Sequence, residues 1–249
     1  MVVKKLKTLG DGFAYNHYWP MWSQLLSEIL QCEWQNFSLP GLGNEAISNI
    51  VLDELTRPQD PDTLFVIQWT SPFRLDLEIN DSNSQVKKTI AQDPFYSNNY
   101  ITTCRNRTYW SSSASKIDFV NDYRNLISKS QGSRRSLQQM LATTYALNNS
   151  QCEWKYIFTY NAPWAWHKLI PEKNVVPDSL RDFLHVSQYR DLDVGEIQPV
   201  TSVHLEFLEK FVLPGLDYDQ QHFDQLKQHY VEQDRQRKNS NAHTPRERP

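Results

Sequence analysis

The run Leu64–Trp69 is the part of this chain that most constrains its fold. It reads Leu-Phe-Val-Ile-Gln-Trp, so that Gln68 is the only polar side chain in a segment of strand length. A continuous apolar run of this kind is typical of a strand that is buried on both faces of a parallel sheet. Because parallel neighbours need crossover connections, which are usually helical, the run predicts an α/β fold.

Helix and strand signals alternate on both sides of that run. Strands are predicted near 3–9, 34–38, 64–69 and 154–160. Apolar residues at helical spacing predict helices near 22–30, 44–55, 116–129, 137–145, 202–212 and 219–235, with a shorter one near 178–184. Asn44 is expected to cap its helix, and Gly132 is expected to break or kink the helical region around it. This order of elements predicts a parallel sheet that is flanked by helices.

The domain organisation follows from length and local composition. A chain of 249 residues can build one sizeable core, and we expect a single domain over 1–235. Residues 78–115 are polar, rich in Asn and Ser and without a clear period, which predicts a long loop or an insertion. Residues 236–249 are polar, basic and contain proline, which predicts a disordered tail.

Composition argues against several classes of protein. The formal net charge of −3 is unlike that of a general nucleic-acid binder, and no apolar run approaches the ~20 residues that span a bilayer. The basic N-terminus is not followed by the apolar segment of a secretory signal, so we expect a reducing, cytoplasmic location. The three cysteines have neither zinc-site nor disulfide spacing, and no P-loop or dinucleotide motif is present. We therefore expect no metal and no cofactor.

The loops after the predicted strands should form the ligand site, because ligands of open α/β sheets bind beyond the carboxyl ends of the strands. Aromatic rings recur in these loops, and rings that line a crevice suit sugar faces or apolar acyl chains. The alternative for each ring is that it packs the loop onto the core, and for Arg74 that it forms a structural salt bridge. The candidate substrate-binding residues are Asp11, Trp19, Asn44, Trp69, Arg74, Trp164 and Trp166.

Three short blocks resemble those of one enzyme family. They are Gly10-Asp11-Gly12-Phe13, Asn36-Phe37-Ser38-Leu39-Pro40-Gly41 and Asp219-Gln220-Gln221-His222. In their order, and in their placement after the predicted strands and near the C-terminus, these blocks resemble the SGNH/GDSL hydrolases. The resemblance covers roughly 3–75 and 150–235. It implies a three-layer α/β/α sandwich with a flavodoxin-like parallel sheet. It also implies an oxyanion-hole amide at Gly41, an orienting carboxylate at Asp219 and a general base at His222.

The chain departs from the family pattern at two catalytic positions. The family's serine nucleophile maps to Gly12, which has no side chain to attack a substrate. The oxyanion asparagine of the family's third block is absent after the third strand, where the hydroxyl of Thr70 or Ser71 could donate one hydrogen bond instead. Within the family, the segment from Trp19 to Arg74 also resembles divergent members encoded by tailed bacteriophages.

The terminal block has two interpretations. Asp219 and His222 are three residues apart at a helix start, so their side chains can lie on one face, with Asp219 as the N-cap. Under the catalytic interpretation, the closing helix brings His222 to the Asp11–Gly12 turn over a shared crevice. Under the alternative, Asp219 is a helix cap and His222 an ordinary surface histidine.

These features together predict an SGNH-hydrolase-like protein that is catalytically impaired and keeps an aromatic crevice. Its expected ligand is a small molecule or a glycan ester. One alternative is an active ester hydrolase with a displaced nucleophile or a directly activated water. A second alternative is a phage virion or assembly protein that uses the fold as a scaffold, with phage particle proteins or a second copy as partners. The expected location is the bacterial host cytoplasm or the virion.

Overall fold

The computed structural model describes residues 1–12, 14, 20–39, 41–72, 74–79, 99–104, 107–112, 129–160, 169–180, 182–183 and 201–241. Within these ranges the main sheet has four parallel strands: β1 (Lys5–Leu9), β2 (Glu33–Asn36), β3 (Thr63–Trp69) and, further along the chain, Glu153–Phe158. The last of these pairs with β3, and β1 lies between β2 and β3.

Helices cover both faces of this sheet. They are α1 (Trp22–Leu30), α2 (Asn44–Leu55), α3 (Lys129–Asn148), α4 (Thr201–Phe207), which continues as a π-helical turn over Leu208–Val212, and α5 (Gln220–Asn241). The protein is therefore a three-layer α/β/α sandwich, and the predicted fold class is confirmed. None of the helices that the described ranges contain is both long and apolar enough to cross a bilayer.

Burial of β3 on both faces creates two cores. Leu64 and Val66 face α1, α4 and α5, whereas Phe65, Ile67 and Trp69 face α2 and α3. All of β3 is buried, as the unbroken apolar run predicts. The alternating side chains of a strand point to opposite faces, so one strand supplies both layers.

The spacing of its apolar residues explains how α1 packs against the sheet. Trp22, Leu25, Leu26 and Ile29 of α1 recur at helical spacing, and all four are buried against the sheet. The helix ends at Gln31, which adopts a left-handed conformation with φ of 49°. This short turn leads directly into β2, so the C-terminal end of α1 lies at the edge of the sheet where the parallel strands begin.

The polar region 78–115 contributes strands to a second sheet. The prediction of a long loop is therefore wrong for these strands, and the alternative, an insertion, stays a prediction. β4 (Leu75–Ile79), β5 (Asn99–Cys104) and β6 (Arg107–Ser112) form an antiparallel sheet in which β6 is central. The fourth parallel strand of the main sheet, Glu153–Phe158, follows β6 in the chain and is therefore β7. The central strand β6 pairs with β5, its neighbour in the chain, and with the more distant β4, and the polar composition of the region obscured both ladders.

Other expectations differ from the structure at element ends. Gly132 lies inside α3 and does not break it, and Gly43 rather than Asn44 is the N-cap of α2. α5 continues to Asn241, so the disordered tail predicted over 236–249 is wrong for its first six residues. The remainder of that tail and the helix predicted over 116–129, except its last residue, lie outside the described residues.

A carboxylate from the second sheet holds the start of α2. Asp76 of β4 accepts hydrogen bonds from the backbone amides of Gly43 at 2.8 Å and Ala46 at 3.0 Å, and Asp76 is only 3% exposed. A Cβ at position 43 would collide with both carboxylate oxygens, so the close approach requires glycine. The negative charge also complements the positive end of the helix dipole. Asp76 therefore couples the two sheets through α2.

His204 of α4 is fully buried, and neither ring nitrogen has a hydrogen-bond partner in the described part of the chain. The hydroxyl of Thr201, one turn earlier on α4, is also buried and unpaired there. Burial disfavours the charged imidazolium and lowers the pKa of His204 to about 3. The folded protein therefore keeps His204 neutral over the pH range in which an exposed histidine takes up a proton.

We expect Asp76→Asn to lower the free energy of unfolding by about 1–3 kcal/mol. The amide has one acceptor where two backbone amides need one each, and it carries no charge for the helix dipole. Urea denaturation measures the change. Asp224→Asn, an exposed change on α5, is the control and should stay within about 0.5 kcal/mol of the parent. Equal effects of the two changes would contradict the capping role of Asp76.

We expect His204→Leu to reduce the loss of stability at acid pH. The folded-state pKa of His204 lies below its ordinary value, so below about pH 6.5 only the unfolded chain binds this proton. Between about pH 7.5 and about pH 5.5 this linkage should lower the parent's free energy of unfolding by about 1.4 kcal/mol more than that of the variant. Chemical denaturation at both pH values measures the difference, and His229→Gln on the exposed face of α5 should leave the parent's pH dependence in place.

Candidate active-site crevice

The chain adds β2 on one side of β1 and β3 on the other side, so the switch in direction lies between the carboxyl ends of β1 and β3. In open parallel sheets a reversal of this kind opens a crevice in which ligands bind. Asp11 and Gly12 follow β1, while Thr70 follows β3, so these sequence candidates meet at this edge of the sheet.

Asp11 is buried and its carboxylate is held from several sides. Its Oδ1 accepts a hydrogen bond from Gln68 Nε2 at 2.7 Å, and its Oδ2 accepts one from Thr70 Oγ1 at 2.8 Å. Arg74 Nη1 lies 3.4 Å from the same Oδ2, which completes an ion pair. Asp11 is 1% exposed. Its carboxylate therefore braces the turn after β1 against the end of β3.

Gln68 is the centre of this buried network. Its Nε2 donates to Asp11 Oδ1 and to Thr159 Oγ1, both at 2.7 Å, and its Oε1 accepts from Trp22 Nε1 at 2.7 Å. The one polar side chain in the apolar run thus connects β3 to the start of α1, to the turn after β1 and to the end of β7. A fully paired amide in a low-dielectric interior fixes these elements relative to one another.

Thr70 and Asn44 are occupied by contacts within the protein. Thr70 directs its hydroxyl to Asp11, and the Asn44 side chain bonds both the amide of Thr70 at 2.9 Å and its carbonyl at 3.2 Å. Asn44 also donates to Ser136 of α3 at 3.1 Å. Both residues are buried. Thr70 is therefore placed to support Asp11, and Asn44 ties α2 to β3 and α3.

Arg74 is the charged candidate that remains accessible. Its side chain is 17% exposed, and Nη1 donates to the carbonyl of Leu42 at 3.1 Å while facing Asp11. One end of the guanidinium thus forms a salt bridge, which was the alternative role expected for Arg74. Nε and Nη2 make no hydrogen bond to the described residues.

The oxyanion-hole amide predicted at Gly41 lies in the glycine loop after β2, and its role stays a prediction. Gly41 is buried with φ of 82°, a left-handed conformation that favours glycine at this turn. The amide of Gly43, at the start of α2, is already bonded to Asp76. A substrate oxyanion at this helix start would meet a carboxylate.

Asp219 and His222 do not reach this crevice. Asp219 is exposed and caps α5, with Oδ1 accepting from the amides of Gln221 at 2.9 Å and His222 at 3.1 Å. The His222 ring lies with Nε2 3.1 Å from the carbonyl oxygen of Glu28 near the C-terminal end of α1. α1 runs from the crevice, where Trp22 reaches Gln68, to the opposite edge of the sheet. The prediction that His222 meets Gly12 is therefore wrong, and the capping alternative describes Asp219.

The ring of His222 also has no serine or threonine hydroxyl as a hydrogen-bond partner among the described residues. Such a contact would mark an active hydrolase with a displaced nucleophile. Gly12 is partly exposed at the crevice, with neither a hydroxyl of its own nor this base beside it.

Trp69, a predicted ring of the aromatic crevice, does not line it. Trp69 is fully buried and packs edge-on against Tyr156, with ring centroids 5.3 Å apart. The interpretation of Trp69 as a substrate-binding ring is therefore wrong, because the period of β3 points it into the core. Trp19, Trp164 and Trp166 lie outside the described residues. The described ranges contain no group of three or more side chains that could hold a metal ion.

Sequence reasoning missed the residues that organise the network. Gln68, Trp22 and Thr159 were not candidates, although a lone amide inside an apolar strand is a signal that it needs buried partners. Asp76 was also missed, because it lies between the predicted strand 64–69 and the polar region 78–115, where no element was predicted.

We expect Gln68→Leu to lower the free energy of unfolding by about 3 kcal/mol. The change leaves the Trp22 indole N–H and one Asp11 oxygen without their buried partner, and each such loss costs about 1–3 kcal/mol. Gln35→Leu on the edge strand β2 is the matched control and should cost less than about 1 kcal/mol. Urea denaturation followed by tryptophan fluorescence distinguishes the two, and similar costs would contradict a central role for Gln68.

Comparison of the chain with protein-family models and with curated proteins finds no match, so the interpretation of its function depends on the geometry of this crevice.

Proposed function

We propose that this protein is a non-hydrolytic relative of the SGNH/GDSL esterases, in which the crevice between the ends of β1 and β3 binds a small-molecule or glycan ester ligand without cleaving it. The sheet order and the Gly-Asp turn after β1 support the relationship. The terminal Asp-x-x-His block does not add to it, because its two side chains lie at the opposite edge of the sheet.

The observation that carries the proposal is the separation of His222 from Gly12. Acyl transfer by a triad needs a nucleophile and a base within hydrogen-bond reach of each other. Here the nucleophile position is glycine, and the histidine is bonded to the carbonyl of Glu28 across the sheet. Asp11 is committed to Gln68, Thr70 and Arg74.

The same network supports binding. Its side chains are buried and paired, so the floor of the crevice is rigid and little side-chain freedom is lost when a ligand binds. Arg74 is the partly accessible member of this network, and Gly12, which follows Asp11 and has no side chain, allows a ligand close approach to the backbone.

We expect no turnover of p-nitrophenyl acetate or acetylated xylo-oligosaccharides above the uncatalysed rate by the parent protein. The variant Gly12→Ser should also stay inactive and unlabelled by a fluorophosphonate probe, because the restored hydroxyl has no base beside it. Initial rates and gel fluorescence measure both.

The control is His222→Ala, which removes a contact with α1 and should leave both readouts unchanged. Turnover by the parent that His222→Ala abolishes would overturn the proposal. In the binding arm, acetylated xylo-oligosaccharides should shift the amide NMR signals of Asp11, Gly12 and Thr70 saturably, and the absence of any such shift would also contradict it.

A further inference from the structure

We propose that Arg74 makes the crevice a carboxylate-binding site, in which the planar Nε–Nη2 edge of its guanidinium pairs with a carboxylate group of the ligand. This inference rests on the proposed function, since it names the chemistry that the same crevice recognises. The substrate class it implies is a ligand with a free acid group, such as a sugar acid or the acid released from an ester.

The N–H donors of Arg74 lie on two sides of its guanidinium, the Nη1 side and the Nε–Nη2 side. A guanidinium has five N–H groups; Nη1 donates one hydrogen bond to the carbonyl of Leu42 and lies 3.4 Å from Asp11 Oδ2 in an ion pair. The three on Nε and Nη2 make no hydrogen bond to the described residues. The Nε–H and one Nη2–H are parallel and form the fork that matches the two oxygens of a carboxylate.

Asp11 orients this fork without neutralising its outer edge. Its carboxylate lies on the Nη1 side, where Gln68 and Thr70 already donate to it. Asp11 is 2% exposed at the side chain and Arg74 is 17% exposed, so solvent reaches the arginine and not its partner. The ion pair with Asp11 thus lies on the Nη1 side, and the Nε–Nη2 edge has no hydrogen bond to the described residues.

The charges around the crevice favour one acid group over a general anion site. The start of α2 is occupied by Asp76. Arg135 and Glu45 neutralise each other nearby in the α2–α3 contact. Arg74 is therefore a described cation at this edge that has donors left for a ligand. A planar fork selects a planar carboxylate by geometry as well as charge.

The first measurement needs no variant. Sodium glucuronate and sodium acetate are titrated into the ¹⁵N-labelled protein at constant ionic strength, with glucuronamide and acetamide as neutral controls of the same shape. We expect a saturable shift of the Arg74 Nε–Hε NMR signal with both acids and none with the amides. An absent shift, or an equal shift with the amides, would overturn the inference. A response to inorganic phosphate alone would also overturn it, in favour of a phosphate site.

The second measurement uses matched variants. Arg74→Lys keeps the charge and loses the fork, so glucuronate affinity, followed through the Gly12 amide signal, should fall by about ten-fold or more. Arg57→Lys, at an exposed arginine beyond α2, should bind like the parent. Unchanged affinity in Arg74→Lys would contradict the assignment. Ester turnover by the parent would contradict the proposed non-hydrolytic function without affecting carboxylate binding. Binding of neutral acetylated sugars, with no binding of the acids, would contradict the carboxylate site and leave the proposed function in place.

Discussion

The buried amide of Gln68 is the interaction on which the carboxyl edge of the sheet depends. An amide in an apolar interior must have its donors and acceptor paired, or its burial costs several kcal/mol. Gln68 meets this requirement with Trp22, Asp11 and Thr159, which belong to three separate elements. The requirement therefore determines where α1 begins, how the chain turns after β1 and where β7 ends. The floor of the crevice is a consequence of that pairing.

The pairing also decides which chemistry the crevice retains. The Asp11 carboxylate accepts two short hydrogen bonds and faces an arginine, so it already has a structural use. Arg74 and Gly12 are partly exposed. The proposed recognition of an acid group fits these residues better than acyl transfer does, because Arg74 donates hydrogen bonds and Gly12 has no side chain to attack a carbonyl.

Sequence reasoning succeeded where the cause of structure is local. The alternation of side chains explains β3, and the spacing of Trp22, Leu25 and Ile29 explains α1, because both depend on periodicities of 2 and 3.6 residues. It failed for β4, β5 and β6. The ladder between β4 and β6 joins segments far apart in the chain, whereas the Tyr, Ile and Thr residues of neighbouring β5 were a strand signal that the polar composition of the region obscured. Gly132 was overestimated as a helix breaker, because the cost of one glycine, about 1 kcal/mol, is small beside the packing of α3 on α2.

The sequence by itself determined the α/β class, the buried parallel strand and the absence of a nucleophile at Gly12, since these depend on residue type and local period. Only the tertiary structure decided which candidate residues meet. Asp219 caps its helix and His222 joins α1 at the far edge of the sheet, while Gln68 and Arg74 converge on Asp11. The physical reason is that a short motif specifies its own backbone, whereas the position of α5 is set by burial of Phe223 and Tyr230 against the core.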